Sequence, residues 1–295
     1  MRTPERLALS RDIVGVTVGP IAHDIDARWL MAYAAGLGET DARYYDTLAP
    51  GGPAAHPLFP VCYEWPAMLA LRDRATQEEI AIRSVHATHD LTLHRPPRAG
   101  DTLSTTARVT GLAHRRAGTL MTVRQETVDA DGRPVSTTDY GSVYRDVGFE
   151  GEDSGFRPEA RGGLEMPAGA VELPVAVPAG LAHVYTECAR IWNPIHTDVA
   201  VARAAGLPDI ILHGTATLAL AVSQVLGHLA ADPRAVRRLS ARFTGMVPLP
   251  GHFIVRVAAG AEGKAFVFDA RAEDGALVLS GGALHLAYTV GEAVI

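Results

Sequence analysis

The sequence predicts an α+β fold built from two copies of one unit, each a helical region followed by antiparallel strands. Three observations carry this. Segments 85–109 and 239–257 share one layout, strand, Pro-containing turn, Gly, strand. Ala130-Asp131-Gly132-Arg133-Pro134-Val135 and Glu273-Asp274-Gly275-Ala276-Leu277-Val278 each set an Asp-Gly turn between apolar strands, a hairpin signal. Leu218, Val222, Val225, Leu226 and Leu229 recur at i, i+4, i+7, i+8 and i+11, one face of a helix.

In chain order, residues 1–148 form the first unit, with a central helix from about residue 64, strands over 85–109, the first hairpin, and a last strand at 136–145. Residues 149–180 are rich in Gly, Pro and Glu and lack periodicity, which predicts a crossing linker. Residues 181–295 repeat the plan, with a helix from about 214, strands over 239–257, the second hairpin and a last strand at 279–289. The two units are expected to share one continuous antiparallel sheet. Such a pair satisfies its own edges, so further association into a homodimer is allowed but not required.

Composition narrows the function classes. The chain has 295 residues and 31.3 kDa, enough for one large domain or two of about 150. With 47% hydrophobic residues it can bury a substantial core. A net charge of −6 and a pI near 6.0 argue against nucleic acid as a partner. The one basic cluster, Arg234, Arg237, Arg238 and Arg242, is either a solvated surface or a face for an acidic cofactor tail. Cys62 and Cys188 are too few for a disulfide framework and lack CxxC spacing, which fits buried thiols in a reducing compartment. No stretch reaches the ~20 apolar residues needed to span a bilayer, and the first residues lead into no apolar segment of the secretory kind. A cytoplasmic protein without membrane contact is expected.

Chemistry concentrates in Trp192-Asn193-Pro194-Ile195-His196-Thr197-Asp198 and in Leu212-His213-Gly214. Asn193 is the only asparagine, and Lys264 the only lysine beside 26 arginines, a bias that fits a GC-rich coding sequence and makes a retained asparagine informative. Pro194 holds Asn193 out of the helical region, so the chain turns and presents His196 from a loop. Gly214 precedes a long apolar run, where a helix start would aim free N–H groups at a ligand.

These blocks resemble the MaoC-like (R)-specific enoyl-CoA hydratases, or hydratase 2. The match is carried by Asn193, Pro194, Ile195, His196, Asp198, Ala204, Gly206, Ile211, His213 and Gly214. The resemblance implies a double hotdog, two fused units whose antiparallel sheet wraps central helices. It also implies an acyl-CoA or acyl-carrier-protein substrate, no cofactor, and a lyase that reversibly adds or eliminates water at C2–C3. One departure is clear. The family's catalytic aspartate lies five residues before the histidine, and Ile191 stands there.

Aligning Asp46 with Asp198 puts Tyr44 where His196 stands and Pro60-Val61 near His213-Gly214. The first unit is therefore catalytically degenerate, and the resemblance implies that it admits the acyl group around Tyr33, Leu58, Phe59 and Trp65. Any of these four is equally readable as ordinary core.

At the matched site, Gly214 N–H suits the thioester oxygen as negative charge develops on it. His196 suits proton transfer near neutrality. Asn193 either joins the water's hydrogen bonds or caps the turn with its side chain, the latter being favoured. Asp198 either orients His196 or caps the helix that follows, again the latter favoured. His213 is expected to shape the loop. Ile191, Trp192, His213, Tyr44, Phe59 and Trp65 are the expected substrate-binding set. Glu187, one helical turn before Ile191, is a substitute carboxylate if it shares that face.

His86, His89 and His94 crowd one segment, but strand geometry would put residues 86 and 89 on opposite faces, and no metal-ligand spacing completes a set. Two alternatives stay beside the dehydratase or hydratase reading. One is an isomerase or cyclase of a specialised pathway on the same scaffold; the other is a non-catalytic acyl-binding subunit.

Overall fold

The computed structural model describes residues 7–155, 166–260 and 264–290. Strands β1 (Ala8–Leu9) and β2 (Thr17–Asp24) lead into α1 (Ala27–Gly36), α2 (Pro60–Ala75) and the short α3 (Glu78–Ala81). Then come β3 (Ser84–Leu93), β4 (Thr102–Arg115), β5 (Gly118–Asp129), β6 (Pro134–Arg145) and two-residue pieces β7 (Gly148–Phe149) and β8 (Ser154–Gly155). The second unit runs β9 (Val171–Val177), α4 (Leu181–Ala189), α5 (Val199–Ala204), α6 (Gly214–His228), β10 (Val236–Phe243), β11 (Gly251–Ala259), β12 (Ala265–Ala272) and β13 (Leu277–Leu286).

One 11-stranded sheet joins both units in the order β2-β4-β5-β6-β3-β10-β13-β12-β11-β9, with β8 added on β4. The order reads as one unit followed by its reversed copy, so β3 and β10 form the seam. Across that seam Leu91 opposes Leu239 and His89 opposes Ala241, while Arg238 holds Asp90 through two bonds of 2.8 and 2.6 Å. The Asp-Gly turns sit where expected, with Gly132 and Gly275 at φ of 78° and 81°, a region open to glycine at no steric cost.

Each central helix lies against its own half of the sheet. All five residues of the expected α6 face are buried, and the helix packs on β9 and β11. Helix α2 starts at Pro60, slightly ahead of the expected position, and packs on β2, β4 and β5. Helices α1 and α4 meet where the two units are related by a pseudo-two-fold. Tyr33 and Tyr185, 152 residues apart, bring their hydroxyls to 3.4 Å. Tyr44 and His196, and Asp46 and Asp198, keep the same separation, and each of Tyr44 and His196 ends a one-turn 3-10 helix.

Two expectations need correction. The segment 149–180 is not all linker, because β9 pairs along its length with β11 and closes one edge of the sheet. Pro174 and the Gly-, Pro- and Glu-rich sequence before it hid it, and an edge strand tolerates a proline because one side of its backbone pairs with nothing. The opposite edge strand, β2, likewise contains Pro20. Second, His86 and His89 do not face opposite sides. A register shift between His86 and Thr88 in the β3–β6 ladder re-aims the strand, and the two rings meet edge to face at 5.6 Å.

The arginine cluster is largely committed within the fold. Arg238 pairs with Asp90, Arg234 bonds the Gly52 carbonyl, and Arg237 bonds the carbonyls of Arg234 and Val236. Among the described residues no helix is long and apolar enough to cross a membrane.

Candidate active site

The loop from α4 to α6 brings the two sequence blocks together. Arg190 ends α4 in the left-handed region at φ 58°, and its guanidinium lies 4.0 Å over the Trp29 ring. The chain then turns inward at Ile191, which is 5% exposed and packs in the main core. It returns to the surface at Trp192, 61% exposed. Asn193 and Pro194 start the 3-10 turn that carries His196 inward.

His196 and His213 stack with ring centroids 3.7 Å apart and planes at 25°. His196 Nδ1 lies 2.8 Å from the Ile211 carbonyl oxygen. A carbonyl only accepts, so Nδ1 carries the proton and Nε2 keeps a free lone pair. Burial pushes the His196 pKa down to about 4, partly offset by the Ile211 bond. His213 Nε2 meets Thr186 Oγ1 at 3.2 Å, and burial with His196 alongside holds its pKa well below the ordinary value. Both imidazoles are neutral at physiological pH.

His213 is also the residue that opens α6, so Gly214 occupies the first helical position and its N–H has no partner inside the helix. The need for glycine there is steric. A Cβ at residue 214 would lie 3.1 Å from Phe243 Cδ1. Phe243, at the end of β10, was not anticipated, because nothing in its local sequence marks it.

The remaining expected residues separate. Asp198 Oδ1 accepts the N–H groups of Ala200 and Val201 at 2.8 and 3.2 Å, so its carboxylate caps α5 and His196 is held by Ile211 instead. The side chain of Asn193 makes no capping bond, contrary to expectation; its backbone carbonyl accepts from His196 N–H at 3.1 Å. That leaves its amide to line an open groove of about 380 Å³ with His183, Thr186, Glu187, Trp192, Pro194 and Thr197. Glu187 is exposed on this groove, away from the core position of Ile191. Thr186 belongs to both the groove and the buried His213 bond.

In the first unit, Pro60 holds the first position of α2, the place of Gly214 in α6, and proline has no N–H to offer. Phe59 stands where His213 does. Tyr33, Leu58 and Phe59 are fully enclosed, with Tyr33 and Phe59 rings 5.7 Å apart, so in this structure they fill the space expected for an acyl chain. Tyr44 is also buried, stacked on His56, while Trp65 is half-buried between the two larger core clusters.

A carboxylate missed by the sequence reading sits at Glu39, five residues before Tyr44, as Ile191 is five before His196. Ser223 of α6 donates to Glu39 Oε1 at 2.5 Å and lies 3.2 Å from His56 Nε2. His56 Nδ1 accepts Leu58 N–H at 3.1 Å, so Nε2 carries the proton. Burial drives the His56 pKa down to about 3. This imidazole braces the two units and has no lone pair left for a base.

Comparison with known proteins agrees with this anatomy. Residues 12–138 match the family model "FAS1-like, dehydratase domain region", and residues 173–273 match "MaoC like domain". A fatty acid synthase beta subunit, pigK of Monascus ruber, is 44% identical over 85 residues, 28% of this chain and 4% of that subunit. The peroxisomal enoyl-CoA hydratase 2 of Arabidopsis thaliana is 38% identical over 65 residues, 22% of this chain and 21% of that enzyme. The chain thus spans a small part of the curated relatives it matches. The crystal structure of a MaoC-like dehydratase from Phytophthora capsici superposes with a TM-score of 0.80 at 22% identity, covering 93% of this chain and 96% of that one, which speaks for a common fold. The first unit thus matches a FAS1-like dehydratase region, the second, which carries the Asn-Pro-Ile-His and His-Gly blocks, matches a MaoC-like domain, and the fold is a double hotdog.

Proposed function

We propose that the protein is an acyl-thioester hydratase or dehydratase in which His196 carries both proton transfers. The carrying observation is the Nδ1 bond to the Ile211 carbonyl, which fixes Nε2 as the free nitrogen beside the start of α6. In the elimination direction, Nε2 takes a proton from C2 and the C–H electron pair moves toward the thioester oxygen, where Gly214 N–H holds the charge. The same Nε2–H then protonates the hydroxyl at C3, the C–O bond breaks, and C2=C3 forms as water leaves. Hydration is the reverse. One imidazole suffices when the departing C2 hydrogen and the C3 hydroxyl lie on one face of the acyl chain. A weakly basic imidazole is also a strong acid once protonated, which favours departure of the hydroxyl.

The CoA or carrier-protein arm fits the groove beside Trp192 and Asn193, which shares Thr186 with the buried pair. The test is water addition to crotonyl-CoA, followed as loss of the enoyl thioester, by the wild-type protein and by His196→Ala. Equal rates would remove His196 from the chemistry. A second reading, an isomerase that shifts a double bond without water, draws support from the apolar wall at Ile191. Product analysis separates the two, since isomerisation leaves no hydroxyacyl species.

A further inference from the structure

His89 lies on the helix-facing side of the seam strand β3 and is 2% exposed, yet neither ring nitrogen has a hydrogen-bond partner. A buried donor or acceptor left unpaired forfeits its hydration without compensation. Several other buried polar groups between the helices and the sheet are paired. Glu64 accepts from Ser136 and Thr138 at 3.2 and 2.8 Å, Tyr63 meets Ser136 at 3.0 Å, and Thr105 meets Thr127 at 2.8 Å. Trp29 Nε1, Trp65 Nε1, Thr88 Oγ1 and His213 Nδ1 are also buried without a partner, but among the described residues His89 alone has both ring nitrogens in that state.

Its place is continuous with the candidate active site. The ring of His89 meets that of His86 at 5.6 Å, His86 stacks on Tyr140 at 3.8 Å, and His86 reaches Phe243 at 4.3 Å. Phe243 is the ring against Gly214. The register shift in β3 is what turns His86 and His89 to this side together. His86 spends Nε2 on the Thr88 carbonyl at 3.1 Å, so His89 holds the free hydrogen-bonding capacity.

We infer that His89 is a specificity-determining residue: the acyl group taken by this protein carries a hydroxyl beyond the reacting carbons, and that hydroxyl hydrogen-bonds His89. This rests on the acyl-thioester reading above. A hydroxyl both donates and accepts, so it pairs with either nitrogen of a neutral imidazole. The contacts from His89 through His86 and Phe243 to Gly214 mark the direction in which the inference places the acyl chain. An unsubstituted chain would leave the imidazole unpaired.

The experiment compares 2-octenoyl-CoA with its 5-, 6- and 7-hydroxy derivatives, for wild type, His89→Leu and His89→Gln, by kcat/KM and by calorimetric binding of the corresponding saturated thioesters. At least one hydroxylated chain should exceed the plain chain by about tenfold or more in wild type, since one hydrogen bond of ~1.4 kcal/mol suffices. His89→Leu should abolish that preference while changing plain 2-octenoyl-CoA by less than about threefold, and His89→Gln should retain part of it. No preference in wild type, a preference that survives His89→Leu, or equal losses on both chains would each overturn the inference. If His89→Leu fails to fold, wild-type calorimetry decides: tighter binding of a hydroxylated chain supports the subsite, and equal binding overturns it. Tighter hydroxylated binding without any hydration of 2-octenoyl-CoA would sink the hydratase reading alone.

Discussion

His213 lies flat against His196, 3.7 Å between ring centres, so any proton that settles on one ring raises the cost of a proton on the other. Burial pushes the pKa of both rings down, so packing favours the neutral form of each. Replacing His196 by Ala should lower turnover by about 10² or more with the melting temperature little changed, because proton transfer by a positioned side chain contributes about 10²–10⁴. Turnover on 2-enoyl-CoA esters and thermal melting of the same sample check this.

The acid limb of activity should sit low. With the His196 pKa near 4 in the folded protein, kcat/KM should be flat from about pH 5.5 to about 8 and fall only as pH approaches 4. A limb centred at 6.5 would mean that the working base is an ordinary, solvated imidazole. Stability follows the same group. The folded state binds fewer protons than the unfolded chain between about 4 and 6.5, so this part of the stability is whole above 6.5 and lost as pH drops through that window.

Glu64 has the opposite sign. Burial lifts its pKa to about 7, against the help of Ser136 and Thr138. A raised carboxyl contributes stability that is whole below about 4.5 and lost as pH rises through 7. Glu64→Gln, which keeps the shape and cannot ionise, should therefore gain stability above pH 7 relative to wild type, on the order of 3 kcal/mol at most. Melting curves at pH 6 and pH 8.5 give the answer; an equal difference at both would refute the assignment.

Gly214→Ala should be costly because the new methyl meets Phe243 at 3.1 Å and pushes either the ring or the start of α6. Removing one oxyanion donor typically costs about 10²–10³, and a displaced donor should approach the lower figure. Phe243→Leu in the same chain should restore part of the loss. Absence of any rescue would mean that the helix start, and not the ring, is what moves.

Ile191→Asp is expected to create or raise hydration of simple 2-enoyl-CoA esters by giving water a second anchor. Each tenfold gain needs ~1.4 kcal/mol of barrier. The carboxyl would enter a wall now 5% exposed, so its pKa should rise and the gain should appear at the alkaline end of a pH 6–9 series. A folded variant with no gain across that range would count against a water-anchoring role at this position.

Much of the fold was legible because repetition is a sequence property. The Asp-Gly hairpins, the α6 face and the spacing of Tyr44 from His196 are all read from residue order. Strand β9 was not, since Pro174 and the Gly-, Pro- and Glu-rich run before it conceal an edge strand that needs only one ladder. At the site, residue identities announced His196, His213 and Gly214. The group that fixes the His196 tautomer is the Ile211 backbone carbonyl, and a backbone atom leaves no trace in composition. Phe243 was hidden for a related reason: it meets Gly214 from the end of β10 through strand register, which residue order does not display.

The seam between β3 and β10 also bears on inheritance. In a symmetric homodimer of single units every substitution is made twice, so a proline in place of Gly214 would remove that N–H from both copies at once. Covalent fusion removes that constraint. Pro60 and Tyr44 can stand in one half while Gly214 and His196 stand in the other, and a substitution in the interior of one half leaves its counterpart unchanged.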